Sequence, residues 1–232
     1  MKNSDFLSSS ITQRETQYGW VWLVFETLIF SWLLQLLNQS LPTPLPQAEV
    51  NFLFFSVNFS VVVILFRRYL WAQVKQIPDL IGTIIFTVIA GFIAYLIANF
   101  LLMQVLLTLN PKHFSVNDVT IQSLVEEDYF LMFFGSVILV PITEECLFRG
   151  LVFRGVYDRS PILAWVLSIV LFSSVHIISY LGTYPAETIL LCFVQYIPAG
   201  LCLAGAYRLS GSLLSSILIH ALVNCLGMMA LR

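Results

Sequence analysis

Residues 80 to 109 run for thirty positions without one charged side chain. Wound as an α-helix, that stretch is about 45 Å long, which exceeds a hydrocarbon core of roughly 30 Å and predicts a tilted or protruding membrane span. Six further apolar runs accompany it, over residues 19–37 (interrupted by Glu26), 50–66, 129–148, 161–184, 188–207 and 209–231. Together they predict an all-α, polytopic membrane bundle of about seven transmembrane helices. Composition agrees, with 59% hydrophobic and 10% charged residues against about 25% charged in soluble domains. The net charge of −2 argues against a nucleic-acid partner and against a polybasic membrane patch.

Cytoplasmic loops of membrane proteins carry an excess of Lys and Arg. With the N-terminus placed in the cytoplasm, Lys2, Arg14, Arg67, Arg68, Lys75, Arg149, Arg154, Arg159 and Arg208 fall inside, and only Lys112 and Arg232 fall outside. The Pro-rich stretch 41–49 and the mildly acidic stretch 110–128 then read as external loops. The first eighteen residues are polar, and no A-x-A-like cleavage site follows the first apolar run, so residues 19–37 read as a retained span rather than a signal peptide. Cys146, Cys192, Cys202 and Cys225 all sit in apolar runs without CxxC spacing and read as reduced core residues. The chain divides by content into residues 1–128, about three helices without motifs, and residues 129–232, which carry the chemistry.

An ionisable group at mid-membrane costs at least about 2.5–3.5 kcal/mol and is a functional hypothesis by default. The segment PITEECLFRG, residues 141–150, breaks the apolar pattern with two carboxylates and an arginine. Glu145 and Arg149 stand at i and i+4 with the acid first, the favoured orientation for a helical ion pair. Glu144 has Phe148 at its i+4 position, so its carboxylate is left for chemistry. Pro141 removes a backbone donor one turn earlier and can open the helix toward a cavity. Arg154, five residues beyond Arg149, points about 140° away and is expected to anchor at the interface.

Two of the three histidines also fall inside spans, and His113 in an external loop reads as a surface residue. In FSSVH, Phe172 and His176 share a helix face. In HALVN, His220 and Asn224 lie one turn apart. If the helices that carry them pack together, one acid, two imidazoles and one amide converge near the bilayer centre, their depths agreeing to within about 10 Å at 1.5 Å per residue. Interhelical hydrogen-bond glue, worth about 0.6 kcal/mol and at most about 2 kcal/mol, is the competing reading. It fits Glu26, which has no motif around it, better than it fits the set.

EECLFR, FSSVH and HALVN resemble the EExxxR, FxxxH and HxxxN motifs of the CPBP intramembrane proteases, the family of CAAX prenyl endopeptidases and the bacterial Abi and bacteriocin-processing proteins. The resemblance covers roughly residues 129–231. It implies that Glu144 is the catalytic glutamate, that Glu145 and Arg149 support it, that His176 helps position the attacking water, and that His220 and Asn224 stabilise the oxyanion. The expected activity is hydrolysis of a hydrophobic or lipidated, membrane-associated peptide, with no cofactor. A zinc enzyme with Glu144, His176 and His220 as ligands is the alternative within the protease class. A non-catalytic scaffold or bacteriocin immunity protein is the alternative outside it, and a proton-coupled transporter is a weaker one for want of inverted repeats. The expected location is a bilayer, with small size and the lack of an ER-retention tail fitting a bacterial plasma membrane.

Overall fold

The computed structural model describes residues 11–232, so Lys2 lies outside the described residues. All regular structure among them is helical. Six helices are long and apolar enough to cross a membrane: α1 (Gln13–Ser40), α2 (Gln47–Leu65), α3 (Arg67–Leu109), α5 (Tyr129–Tyr157), α7 (Ala186–Ser210) and α8 (Leu213–Ala230). Between them lie α4 (Val116–Glu127) and the shorter apolar α6 (Pro161–Val175).

Five of the helices start where the sequence offers a side-chain cap. Thr12 and Glu15 close a capping box ahead of α1, while Ser115, Asp128, Ser160 and Ser212 accept from backbone N–H groups in the first turns of α4, α5, α6 and α8. Each such cap satisfies one of the donors a helix start leaves open. Gly211, at φ +68°, ends α7 in the left-handed conformation that a side chain would strain. Buried Glu15 reaches across to accept from Tyr69 N–H, and Gln73 accepts from Leu213 N–H. These bonds gather the start of α1, the start of α3 and the α7–α8 turn at one end of the bundle. At the opposite end, Glu127 accepts from Ala48 N–H, and Tyr180 donates to Thr120.

The seven apolar runs are all helical, with four departures from the expected pattern. First, the run expected over 161–184 is a helix only to Val175, after which the chain turns through His176 and a short 3₁₀ segment, Ile178–Tyr180. Irregular backbone is tolerated at membrane depth where protein covers it or it lines a cavity, and Ile178, Ser179 and Tyr180 line a cavity. Second, α3 begins at Arg67 rather than at 80 and carries Pro78 inside it. Third, residues 110–128 hold a helix, α4, because Ser115 caps a segment that buries Val116, Leu124 and Val125. Fourth, α5 runs on to Tyr157, so Arg149 is not in a cytoplasmic loop; it is completely buried within the helix.

The main core joins Leu23, Phe66 and Tyr69 from the first three helices to Leu147, Phe148, Leu151 and Phe153 of α5, Phe172 of α6, Tyr207 of α7 and Ile219 of α8. Residues 11–128 therefore supply walls to the same bundle as the motif-bearing helices. All four cysteines are free.

Candidate active site

The helix carrying EECLFR is not a uniform α-helix. Gly135–Leu139 and Cys146–Phe153 are π-helical and bracket the α-helical turns Val140–Glu145. Pro141 has no N–H to give to the ladder, and widened turns of this kind are frequent at functional sites because they release carbonyls from it. Two such carbonyls are used. Ser136 O accepts from Asn224 Nδ2 at 2.8 Å, and Phe148 O accepts from Ser168 Oγ at 3.0 Å.

Arg149 is held by three contacts. Its Nη1 donates to Glu145 Oε1 at 2.9 Å, its Nη2 donates to Gly200 O at 3.3 Å, and its guanidinium lies 4.4 Å from the centroid of the Phe172 ring. Gly200 lets α7 lie close against α6, since a Cβ there would stand 3.3 Å from the Ile169 backbone. Glu145, also fully buried, accepts a second bond at the same oxygen from His220 Nδ1, 2.9 Å away. Arg154, by contrast, pairs with Asp158 at 2.7 Å near the end of the helix, and the two arginines of FRGLVFRG have separate partners.

The two imidazoles are fixed in the same sense. His176 Nδ1 lies 2.8 Å from Phe172 O, an acceptor only, so Nδ1 carries the proton. Its ring is clamped between Phe172, at a 4.8 Å centroid distance, and Tyr196, stacked at 4.1 Å and 25°. His220 Nδ1 likewise faces a carboxylate. Both Nε2 atoms therefore turn toward Glu144, whose Oε2 is 3.9 Å from each. That oxygen has no hydrogen-bond partner within the protein. Glu144 keeps about one-fifth of its side chain exposed, while Glu145 beside it keeps none.

Glu144, His176, His220 and Asn224 thus line one cavity of about 600 Å³. Glu145 and Arg149 lie behind its wall. The cavity also takes in residues to which the sequence gave no site role. Glu26 lines it with Asn58, which donates to Glu26 Oε2 at 3.0 Å; this is the interhelical bond expected of Glu26, and its side chain also faces the same space as Glu144. Tyr196 owes its place to the break between the two halves of α7, where Pro198 follows two residues later. The only sequence signal for it was that proline. Asp118, on α4 outside the spans, lines the mouth; burial raises its carboxyl above the ordinary range, against the hydrogen bond from Ser115 and the neighbouring His176 and His113. His113 itself is bonded to Gln195 at 3.2 Å.

Zinc would use Glu144, His176 and His220. Ligand atoms about 2.1 Å from a tetrahedral zinc stand about 3.4 Å apart, whereas Glu144 Oε2 is 3.9 Å from each Nε2. No three His, Cys, Asp or Glu side chains among the described residues are drawn together as a metal set. The separation also leaves room for a water between Glu144 and either imidazole at ordinary hydrogen-bond lengths of about 2.8 Å.

Residues 126–226 match the protein family described as Rce1-like, type II CAAX prenyl endopeptidase. No curated protein and no solved structure matches the chain. The matched segment begins just before α5 and ends within α8, and it contains all three motifs.

Proposed function

The region that carries the three motifs belongs to the CAAX protease family, and from that premise we propose that this chain is an intramembrane endopeptidase that hydrolyses its substrate with a glutamate-activated water. The observation that carries the reading is the unpartnered Glu144 Oε2, set 3.9 Å from two imidazole nitrogens that both lack a proton when the rings are neutral.

A water held between Glu144 and His176 directs one proton toward Glu144 Oε2 and the other toward His176 Nε2, with a lone pair turned into the cavity. Glu144 takes one proton as the oxygen attacks the scissile carbonyl, and the same proton then passes to the leaving amine. His176, locked by Phe172 and Tyr196, sets where the water sits. The charge on the carbonyl oxygen is met by the Asn224 amide, oriented through its bond to Ser136 O and left with a second N–H for the substrate. His220 joins as a donor only when both its nitrogens carry protons, and the Glu145 carboxylate lies against the ring to balance that charge. Removing one preorganised donor of this kind commonly costs about 2.7–4 kcal/mol.

The substrate class is a hydrophobic or lipidated peptide segment that reaches a cavity inside the bilayer. Comparing the membrane and secreted peptides of cells that carry the wild type with those that carry Glu144→Ala tests the reading. A peptide that accumulates uncut only in the variant supports an endopeptidase. Identical peptide profiles, with a phenotype that the variant still rescues, would point to a binding protein.

A further inference from the structure

One carboxylate in the cavity wall has no part in the mechanism above. Glu26 is the first residue of a π-helical turn of α1, Glu26–Phe30, and widened turns of this kind are frequent at functional sites. Glu26 and Asn58 of α2 both lie outside the segment 126–226 that carries the motifs, yet both line the same cavity as Glu144, His176 and His220. Asn58 Nδ2 ties the two helices together by donating to Glu26 Oε2 at 3.0 Å, and Thr27 Oγ1 adds a long bond of 3.4 Å to Oε1.

Interhelical glue accounts for the bond between them but not for the groups left over. Asn58 is 3% exposed, and its Oδ1 is buried without a hydrogen-bond partner, which costs about 1–3 kcal/mol. A carboxylate has about four acceptor positions, and these two bonds leave part of the Glu26 capacity unused. The free acceptors are neighbours, because Oδ1 shares a carbon with the Nδ2 that bonds Glu26. Asp118 and Glu144 add further acids to the cavity lining, which among the described residues includes no Lys or Arg.

A ligand that satisfies both acceptors must bring several donors. A lysine ammonium or an arginine guanidinium has them, with no acceptor of its own, whereas a backbone N–H has a single donor and no charge. We propose that Glu26 and Asn58 form a specificity subsite for one basic side chain, lysine or arginine, in an otherwise apolar peptide segment. The cation bonds the Glu26 carboxylate and Asn58 Oδ1, and its apolar stem lies along Phe54 and Phe55 of the same wall, as long charged side chains do on apolar surfaces. The subsite rests on the reading of the cavity as a peptide site. Glu26 binds the substrate in it and takes no part in bond breaking.

The test uses fluorescein-labelled Leu/Ala peptides identical but for one central position, which holds Lys, Arg or norleucine. Each is titrated in detergent against the full chain carrying Glu144→Gln, which leaves the peptide uncut, and anisotropy gives Kd. The basic peptides are expected to bind about tenfold more tightly than the norleucine peptide, as suits hydrogen bonds to a charged group. Adding Glu26→Gln should abolish that preference, Asn58→Leu should reduce it, and Asp118→Asn should leave it in place, with thermal melts to show that each variant is folded. A preference that survives both Glu26→Gln and Asn58→Leu overturns the subsite and leaves Glu26 as helix glue. Equal binding of all three peptides by the parent, or binding of none, overturns it as well. Incubating the same peptides with the wild type separates the two readings: a basic preference without any cleavage contradicts the endopeptidase alone, and cleavage with equal binding contradicts the subsite alone.

Discussion

The Glu145 carboxylate serves two partners through one oxygen, lying 2.9 Å from Arg149 Nη1 and 2.9 Å from His220 Nδ1. It therefore joins the arginine that bonds α7 at Gly200 O to the imidazole that faces the cavity.

Arg149→Ala is expected to reduce both folding yield and activity, because it strands a buried carboxylate at a cost of about 3–5 kcal/mol. Removing both partners, Glu145→Ala with Arg149→Ala, should recover part of the thermal stability in detergent but none of the activity, since His220 loses its orienting bond. A double variant no more stable than Arg149→Ala alone would show that the pair is not what holds the helix. Arg149→Lys should rescue poorly, for an ammonium cannot bond Glu145 and Gly200 and also lie flat on Phe172.

Asn224→Ala is expected to lower kcat by roughly 10²–10³ with little change in KM, as befits a donor used mainly in the transition state. Asn224→Asp should be at least as damaging, since a carboxylate would face both the Ser136 carbonyl and the developing oxyanion. Steady-state kinetics on any cleaved peptide separates the two parameters. A fully active aspartate variant would remove Asn224 from the site.

Tyr196→Phe should leave activity close to wild type, because the ring that stacks on His176 is retained. Tyr196→Ala should lower kcat while the protein stays folded, since aromatic contacts of this kind contribute about 0.5–1.5 kcal/mol and here hold an imidazole in register. Equal activity in both variants would leave Phe172 and its carbonyl as the sole restraint on His176.

These sites were legible to different degrees. Glu144, His176, His220 and Asn224 stood out because polar groups inside apolar runs are costly, and the three motifs that hold them fall in three separate apolar runs. Arg149 was placed correctly as the partner of Glu145 but miscounted as a loop cation, because an apolar run that ends at Phe148 hides the π-helical turns that carry the helix on to Tyr157. The end of α6 at Val175 could not be read from hydropathy, since IISYLG is as apolar as a helix and only the cavity beside it allows the turn. Glu26, Asn58 and Tyr196 gained their places from tertiary packing between distant segments, which leaves no periodic trace in a single sequence.

Chelators such as EDTA or 1,10-phenanthroline are expected to leave most activity intact, as the 3.9 Å separations suit a bridging water better than a zinc. Elemental analysis of the active protein should find much less than one zinc per chain. Loss of activity on chelation, with recovery on added zinc, would transfer the role of Lewis acid to a metal at Glu144, His176 and His220.

The measurement closest to the central claim compares purified wild type with Glu144→Gln on one membrane-embedded peptide, following product by mass spectrometry under single-turnover conditions. The amide keeps the shape of the side chain but takes no proton from water. The variant should therefore bind the peptide, melt within a few degrees of wild type and yield no cleavage product above background. Cleavage by Glu144→Gln at a rate near that of wild type would contradict the assignment of Glu144 as the base that activates water.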